Sequence, residues 1–337
     1  MKAFKKFCHI EASYSKPLIE RIKSLMNPND LWVAQEKVDG SNFSFIVGKN
    51  DNGEIEISNG RRGAELEPNE SFYNYQTVVD RIKDNVIALF NEVAKTHDVS
   101  EGINVFGELF GGIYPNHQSN VSAVMKRIYY SPNIEFYGFD IYIPSEGYLS
   151  PIEAVELFDK VNIFHAENLF IGTLAECLAL NTVFPSTIGT RLGYEPIEGN
   201  EAEGYVLKPV TPWVFGNGDR VVLKHKNPKF LDVQKQKAPK VEYENSSEYE
   251  ALLNSVTEFI NPNRLNSVLS HIGEVNMPKD FSKVLKEMND DVNQEFLTDI
   301  TSNKDAFDAL PKAEQKMFFN AVSKLNAQVI KEQLMTA

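Results

Sequence analysis

Hydrophobic positions along the chain follow two periods that divide it into two regions. Over residues 1–240, short apolar runs bounded by turn residues predict β-strands in LWVAQEK, NFSFIVG, EIEISNG, INVFGELFGG, IEFYGFDIYI, EGYVLKP and DRVVLKHK. Between them, helices are predicted over roughly residues 16–25, near residues 73–95 and in PIEAVELFDKV, where apolar side chains recur every three or four residues. From residue 247 onward only the helical period remains.

This change of period predicts an α+β fold in two domains. The first, residues 1–240, would be built on antiparallel sheets, and the second, residues 241–337, would be a small all-helical domain. The polar stretch KAPKVEYENSSE follows neither period, so the linker is predicted at about residues 236–247. A length of 337 residues is also typical of two domains.

Composition excludes several classes of protein. No apolar run is long enough to span a membrane, and the basic N-terminus lacks the apolar run of a signal peptide. The two cysteines, Cys8 and Cys177, can form neither a disulfide framework nor a zinc cluster. A cytoplasmic protein that does not contact a membrane is therefore expected.

The net charge of −13 argues at first against a nucleic-acid partner, but its distribution changes that picture. Residues 2–23 hold six Lys/Arg and two Glu, and residues 206–240 hold eight Lys/Arg and two Asp. Residues 241–337 hold nine basic and sixteen acidic residues. Basic charge that is focused locally is what a groove for a polyanion requires. On charge alone, a solvated basic face is an equally good interpretation.

The segment EKVDGSNF, residues 36–43, carries the candidate chemistry. Lys37 ends an apolar strand, where a charged group is unusual, and Gly40 would permit a tight turn with close approach of the backbone to a ligand. A lysine is a nucleophile only after it has lost its proton, so it needs neighbours that favour the neutral form. Taken alone, the short pattern KVDG fits a hairpin with a surface lysine better.

Five further motifs follow this segment in order. They are GRRG at 60–63, FGE at 106–108, FYGFD at 136–140, EGYVLK at 203–208 and VLKHK at 222–226. The series resembles the ordered motifs of the covalent nucleotidyltransferase superfamily, which contains ATP-dependent DNA ligases, RNA ligases and mRNA capping enzymes. The resemblance implies that the first domain is a nucleotidyltransferase (ATP-grasp-like ligase) domain.

The residues of these motifs also suit nucleotide transfer on chemical grounds. Attack on an α-phosphate needs a nucleophile, cations that spread the developing charge and a metal that holds the departing pyrophosphate. Lys224 and Lys226 alternate on a predicted strand, so both point to one face and could hold the α-phosphate. Glu203 precedes a buried strand and is a reasonable ligand for Mg²⁺ or its waters.

Two further residues could contact the nucleoside. Glu108 could accept hydrogen bonds from ribose hydroxyls, and Phe139 could stack on adenine. Each has a structural alternative, because Phe139 could be a core residue and Glu108 a paired acid at a strand end. Lys226, taken alone, could be a solvated surface lysine.

The resemblance implies a role for each matching position. Lys37 would take AMP from ATP and form the lysyl–AMP phosphoramidate, and Glu36 would help to read the adenine edge. Asn42 would approach the phosphates or the water shell of the metal. Arg61 would contact the ribose or the phosphate of the acceptor strand, with Arg62 as the alternative.

Two features favour the RNA ligase 2 branch, which includes phage and RNA-editing ligases. DNA ligases and capping enzymes typically place arginine two residues after the glycine of KVDG, where this chain has Asn42. They also continue into an all-β OB-fold, whereas the C-terminal segments here predict helices, and NPNRLNSVLSHIGE resembles the opening of the RNA ligase 2 helical domain. Asp39 stands where many members of this branch carry histidine, although aspartate is common in the wider superfamily.

The expected function is that of an ATP-dependent RNA ligase that seals 3′-OH/5′-phosphate nicks in duplex RNA or an RNA–DNA hybrid. The reaction would pass through lysyl-AMP and adenylated RNA, with ATP and Mg²⁺ as cofactors. A monomer in the cytoplasm is expected, which would be the host cytoplasm if a phage encodes the protein. In the helical domain, Arg264 and the lysines near 279–286 are candidate RNA contacts.

Two alternatives remain open. An ATP-dependent DNA ligase or a capping-type nucleotidyltransferase would share Lys37 but use DNA or GTP. A non-catalytic RNA-binding protein on the same scaffold should lack at least one of four residues, all of which are present: Lys37, Glu203, Lys224 and Lys226.

Overall fold

The chain forms two compact units in a computed structural model that describes residues 2–68, 70–216, 218–232, 247–298 and 302–335. The first unit is Met1–Lys229 and the second is Phe230–Ala337. The predicted linker, about residues 236–247, lies outside the described residues except for the backbone of Ser247. The predicted boundary after residue 240 therefore stays a prediction.

The first unit contains eleven strands and five helices within its described residues. In chain order they are β1 (Glu11–Ala12), α1 (Lys16–Leu25), β2 (Leu31–Glu36), β3 (Ser41–Lys49), β4 (Ile55–Arg61), β5 (Ala64–Glu65), α2 (Tyr75–Val93), β6 (Ile103–Ile113), β7 (Ser131–Ile143), β8 (Gly147–Tyr148), α3 (Pro151–Lys160), β9 (Asn168–Thr173), α4 (Leu174–Leu178), α5 (Ile188–Arg191), β10 (Gly204–Pro209) and β11 (Leu223–Lys226).

The strands form two sheets. The five-stranded sheet has the order β1-β11-β10-β2-β9, and the six-stranded sheet has the order β5-β4-β3-β6-β7-β8. Every neighbouring pair is antiparallel except β1 with β11. Consecutive strands β2 and β3 belong to different sheets, so residues 37–40 carry the chain from one sheet to the other. The segment with the candidate nucleophile thus lies where the two sheets connect.

The predicted elements are present, with two informative differences. The second helix was predicted near residues 73–95, but Tyr73 and Asn74 have left-handed φ values of 47° and 51°, so the helix begins at Tyr75. The segment DRVVLKHK was predicted as one strand, but only its last four residues pair within the sheet. Val221 instead donates a backbone hydrogen bond to the Trp213 carbonyl at 2.9 Å, and this takes its amide away from the ladder.

The hydrophobic core of the first unit lies on one face of the six-stranded sheet. Phe43 and Phe45 of β3 point to this face, where Phe43 packs on Tyr75 of α2 and Phe45 packs edge-on against Phe136 of β7. The intervening residue of β3, Ser44, points to the opposite face, because successive side chains alternate along a strand. This opposite face carries the candidate site.

In the second unit, every secondary-structure element of the described residues is a helix. Its helices are α6 (Ser247–Thr257), α7 (Pro262–Ile272), α8 (Phe281–Phe296), α9 (Ser302–Ala309) and α10 (Lys312–Leu334). Buried apolar residues at three- and four-residue spacing, such as Val284, Met288 and Val292 on α8, form its core. The helices confirm the α+β prediction, although α9 was not predicted.

Arg264 of α7 corrects one prediction made from the sequence. It is 1% exposed, and its Nη1 donates to Asp291 at 2.9 Å and also to Glu295, both on α8. The guanidinium therefore joins two helices and is not available for the predicted RNA contact. The lysines of the 279–286 segment (Lys279, Lys283 and Lys286) are exposed, so they stay candidates for that contact.

Candidate active site

Lys37 is held at the crossing between the two sheets. Its backbone N–H donates to the Gly204 carbonyl of β10 at 2.8 Å, and its side chain is 19% exposed. Gly40, which ends the crossing, packs directly against β6. A Cβ atom there would lie 2.2 Å from the Leu109 carbonyl oxygen and 2.7 Å from Cγ of Glu108. The glycine is therefore required for the close packing against β6, and the ligand approach that the sequence suggested stays a prediction.

Glu203 links Lys37 to Lys226. Its Oε2 lies 2.7 Å from Nζ of Lys37, and its Oε1 lies 2.8 Å from Nζ of Lys226. The carboxylate is 2% exposed. Burial raises the pKa of Glu203, but the charges of Lys226 and Lys37 outweigh burial and hold the pKa below its ordinary value. The three groups form a buried cluster with a net positive charge, as a phosphate site requires.

Lys224 lies on the same face of the five-stranded sheet as this cluster. In the antiparallel pairing of β10 with β11, Val206 is opposite Lys224 and Gly204 is opposite Lys226. Both lysines are 8% exposed, so neither is a solvated surface residue. The structure therefore brings together Lys37, Glu203 and the two lysines of β11, as the sequence predicted. Their individual roles stay predictions.

Asn42 and Glu108 are directly opposite each other on β3 and β6, and so share a face of the six-stranded sheet. Nδ2 of Asn42 donates to the Gly107 carbonyl at 3.5 Å, whereas its Oδ1 is buried without a hydrogen-bond partner among the described residues. Desolvation raises the pKa of Glu108 to about 8, and the charge of Lys37 only partly offsets it. Below about pH 8 in this state, Glu108 is a neutral acid that can both donate and accept.

The protonation of Glu108 gives a testable pH dependence of stability. The folded state keeps this proton up to about pH 8, whereas the unfolded chain releases it near pH 4.5. Wild-type stability should therefore fall, relative to Glu108→Gln, as the pH rises from 5 to 9. At pH 9 the variant should be more stable by on the order of 1 kcal/mol in urea unfolding. Glu65→Gln, a substitution at an exposed residue, is the control. If wild type and Glu108→Gln show the same dependence of unfolding free energy on pH, Glu108 is not protonated in the folded state.

The two arginines of GRRG point in different directions. Arg61 is paired with Phe43, so its side chain lies on the core face of the sheet, where Nη2 is 3.5 Å from Glu70. The next residue, Arg62, reaches Nδ1 of His9 at 3.1 Å, and its charge lowers the pKa of Glu108. This geometry favours Arg62, the alternative to Arg61, and the contact of either arginine with a nucleotide or acceptor strand stays a prediction.

Glu36, the last residue of β2, is 2% exposed and is bound by the segment before α5. Oε1 accepts from Oγ of Ser186 at 2.6 Å, and Oε2 accepts from the backbone N–H and the hydroxyl of Thr187 at 2.9 and 2.7 Å. Burial raises the pKa of Glu36, and these hydrogen bonds oppose it. Reading of adenine by Glu36 stays a prediction.

Phe139 lies on β7 and is partly exposed. Its ring centroid is 5.3 Å from that of Phe7, and its carbonyl accepts a hydrogen bond from Nζ of Lys208 at 2.8 Å. The two rings are tilted by 58°, and Nζ of Lys208 also lies 5.3 Å from the centroid of the Phe139 ring. Stacking of this ring on adenine stays a prediction.

Sequence reasoning missed Arg127, which positions the catalytic segment. Its Nε donates to Oδ2 of Asp39 at 2.9 Å, and its Nη2 donates to Oδ1. The backbone N–H of Asp39 donates to the hydroxyl of Tyr130 at 2.9 Å. Arg127 and Tyr130 thus hold the KVDG segment in place. No sequence pattern distinguishes this part of the chain.

A second missed feature is a buried ion cluster that joins the two sheets. Asp140 of β7 accepts from Lys208 of β10 at 3.0 Å and from both terminal nitrogens of Arg220 at 2.7 and 2.9 Å. All three side chains are at most 5% exposed. The Asp140 carboxylate is therefore fully committed to cations from the other sheet and from the segment before β11.

Among the described residues, no group of three or more His, Cys, Asp or Glu side chains is arranged to hold a metal ion. Within the same residues, no helix is both long enough and apolar enough to cross a membrane. Oxygen atoms for a metal that is bound partly by a nucleotide would come from Glu203 and from Oδ1 of Asn42.

Protein-family models match most of the chain. Residues 30–226 match the family described as RNA ligase, and residues 243–331 match the family described as T4 RNA ligase 2 C-terminal. The first match contains Lys37, Glu203 and the two lysines of β11.

Among individual proteins, the chain is 31% identical over 228 residues to RNA-editing ligase 1, mitochondrial, of Trypanosoma brucei brucei, which covers 58% of this chain and 47% of that protein. It is 28% identical over 266 residues to RNA-editing ligase 2, mitochondrial, of the same organism, which covers 70% of this chain and 62% of that protein. The chain thus spans about half the length of the first of these relatives.

Among solved structures, a mutant of Naegleria gruberi RNA ligase with ATP and Mn aligns at 20% identity and a TM-score of 0.45, over 68% of this chain and 57% of that one. The same ligase with PPi aligns at 21% identity and a TM-score of 0.44, with the same coverage.

Proposed function

Since the chain belongs to the RNA ligase family, in its RNA ligase 2 branch, we propose that it is an ATP-dependent RNA ligase that works through a lysyl–AMP intermediate on Lys37. The observation that carries this proposal is the buried cluster in which Glu203 contacts both Lys37 and Lys226. A cluster of buried cations beside a partly exposed lysine suits attack on a phosphate.

In the first step, the ammonium of Lys37 gives one proton to water, and the neutral Nζ attacks the α-phosphorus of ATP. A P–N bond forms as the bond from the α-phosphorus to the bridging oxygen breaks, the nitrogen releases a second proton to water, and pyrophosphate leaves. In the structure the Lys37 ammonium is paired with Glu203, so the proton must leave before attack. Lys224 and Lys226 supply fixed positive charge to the phosphate oxygens as negative charge develops.

Mg²⁺ fits this site as a metal that keeps several waters and is bound by one or two carboxylates together with substrate phosphates. Glu203 would hold it or its waters, and the unpartnered Oδ1 of Asn42 offers a further oxygen. When bound, such an ion neutralises charge on the phosphates and the departing pyrophosphate.

Two transfers complete the proposed reaction. An oxygen of the RNA 5′-phosphate attacks the phosphorus of lysyl–AMP, the P–N bond breaks, and the nitrogen of Lys37 takes up a proton. The product is adenylated RNA with a 5′–5′ pyrophosphate link. The 3′-hydroxyl of the neighbouring strand then attacks the 5′-phosphate, loses its proton, and displaces AMP as the phosphodiester forms.

The proposed substrate is a nick in duplex RNA or an RNA–DNA hybrid. Its support is the match of residues 243–331 to the family described as T4 RNA ligase 2 C-terminal. Recognition would depend on A-form geometry and 2′-hydroxyls rather than on sequence. The proposal includes a monomer in the cytoplasm, which would be the host cytoplasm for a phage protein, where Cys8 and Cys177 would remain thiols.

The nucleotide is tested by incubating the full-length protein with α-labelled ATP and, separately, with α-labelled GTP. A labelled protein adduct should form with ATP and Mg²⁺, and the label with GTP should be lower by about a hundredfold or more, because a hydrogen-bonding site rejects the wrong base strongly. Preferential labelling by GTP would instead support the capping-type alternative. No adduct with either nucleotide would support the non-catalytic RNA-binding alternative.

The polynucleotide is tested by exchanging sugars at a nick. Ribonucleotides on the 3′-hydroxyl side should increase sealing markedly, whereas ribonucleotides on the 5′-phosphate side should matter much less. A matched all-DNA nick provides the comparison. If the all-DNA nick is sealed as fast as the RNA nick, the enzyme is a DNA ligase by activity and the proposed substrate is wrong.

A further inference from the structure

The segment before α5 fixes the carboxylate of Glu36 from two directions. Ser186 donates to Oε1, and Thr187 donates to Oε2 with both its hydroxyl and its backbone N–H, at distances of 2.6 to 2.9 Å. A buried glutamate at a strand end can adopt several rotamers. Three hydrogen bonds from one short segment leave it one orientation.

This segment is itself tied to the chain that leads into Glu203. The backbone N–H of Ser186 donates to the Asn200 carbonyl at 2.9 Å, and the N–H of Ala202 donates to the Phe184 carbonyl at 2.9 Å. Ala202 directly precedes Glu203. The Glu36 carboxylate is therefore fixed relative to the carboxylate that contacts Lys37, and not merely held by a surface loop.

The hydrogen bonds leave a defined acceptor capacity on Glu36. A carboxylate offers about four acceptor positions, two on each oxygen. Thr187 occupies both positions on Oε2, whereas Ser186 occupies one on Oε1. One position on Oε1 therefore remains, and it suits a single N–H donor. The N6 amino group of adenine is such a donor, whereas guanine presents the acceptor O6 at that position and would be repelled.

We propose that Ser186 and Thr187 are positioning residues that set the base selectivity of the adenylation step by aiming Oε1 of Glu36 at the N6 amino group. This inference rests on the proposed function, because it assumes that ATP is the nucleotide that Lys37 attacks. Burial raises the pKa of Glu36, and the same hydrogen bonds lower it, so they also favour the ionised acceptor.

The test compares ATP with purine riboside triphosphate, which lacks the N6 amino group, in single-turnover adduct formation by full-length protein. In the double variant Ser186→Ala/Thr187→Val, the second-order rate constant for adduct formation with ATP should fall by roughly tenfold to a hundredfold. This is the range for the loss of one charge-assisted hydrogen bond. Its rate with purine riboside triphosphate should stay within about threefold of wild type, because that base never uses the carboxylate. The preference for ATP should therefore largely disappear.

Two single variants separate this role from general disruption. Thr187→Ser keeps the hydroxyl and should keep the preference for ATP. Thr190→Val removes a hydroxyl of α5 that donates to the Thr187 carbonyl at 2.8 Å and does not contact Glu36, so it should also keep the preference. Equal losses with both nucleotides in the double variant, or an unchanged preference, would overturn the inference.

The wild-type reaction distinguishes the two proposals. If wild type forms no AMP adduct, the proposed function fails. If wild type forms the adduct and prefers ATP, but the double variant keeps that preference, only the positioning role fails. Should the double variant not fold, Ser186→Ala alone must still reduce the preference, since it frees Oε1.

Discussion

Replacing Lys37 with alanine should abolish the protein–AMP adduct, because no other described lysine combines partial exposure with a position at the sheet crossing beside Glu203. Labelling with α-labelled ATP should fall to background, a loss of at least about a thousandfold for a missing covalent nucleophile. Lys37→Arg should fail equally, because a guanidinium stays protonated and is not a nucleophile here. Denaturing gels of the labelled protein provide the measurement.

The same variant should keep part of its activity on a strand that is already adenylated. The last transfer uses the 3′-hydroxyl as nucleophile and needs no lysine nitrogen. Retained sealing of adenylated RNA thus shows that the variant is folded. An adduct that persists in Lys37→Ala would place the nucleophile elsewhere, and the proposed mechanism would have to be abandoned.

Lys226→Ala should slow adduct formation by on the order of a hundredfold or more, the typical cost of one preorganised charge at a phosphoryl centre. The structure adds a second cause, because Oε1 of Glu203 would lose its 2.8 Å partner in a buried site. Lys224→Ala should have a comparable effect. Single-turnover rates with ATP measure both, and the exposed Lys49→Ala is a matched control from the same unit.

Thermal unfolding should accompany these rates, since loss of a buried cation can also destabilise the fold. Rates that fall while the protein stays folded at the assay temperature support the phosphate role. Near-normal adduct yields from both Lys226→Ala and Lys224→Ala would mean that neither lysine acts on the phosphate. In wild type and in each variant that still forms the adduct, the rate of adduct formation should increase as the pH rises, because attack needs the neutral amine.

Much of the site was predictable because its residues lie on strands with a strong local signal. Alternation places Lys224 and Lys226 on one face whatever the partner strand is, and the burial of both agrees with that expectation. The order of the motifs along the chain added Glu203 and Glu108. The placement of Lys224 and Lys226 needs only local structure, whereas Glu203 and Glu108 were identified through the resemblance of the motif series to a known superfamily.

The errors arose where the answer depends on pairing between distant segments. Which of the two arginines, Arg61 or Arg62, faces the core depends on the register of β4 on β3, in which Arg61 is on the side of Phe43. Nothing in the two adjacent arginines reveals that register. The predicted RNA contact of Arg264 was wrong for a similar reason, because its two acidic partners lie more than twenty residues away on α8.

Arg127, Ser186 and Thr187 were missed because their types are ordinary and their partners are remote in the sequence. Arg127 binds Asp39, which is 88 positions away, and Thr187 binds Glu36, which is 151 positions away. Polar residues in loops usually contact solvent, so composition gives them no distinction. Only the packing of loops onto the sheet crossing identifies them as part of the site.

The Asp140 cluster affects how mutations in this protein should be interpreted. Its carboxylate meets Lys208 from the other sheet. The separation of the two sheets, and with it the position of Lys37 relative to Glu108 on β6, therefore depends on this pair. If variants are assayed only for ligation, substitutions of Asp140 and Arg220 should abolish activity. These residues would then be mistaken for members of the catalytic site. Activity alone would not distinguish the reacting groups from the ion cluster that joins the two sheets. A measurement of the free energy of unfolding would separate them, because loss of the buried ion cluster should also destabilise the fold.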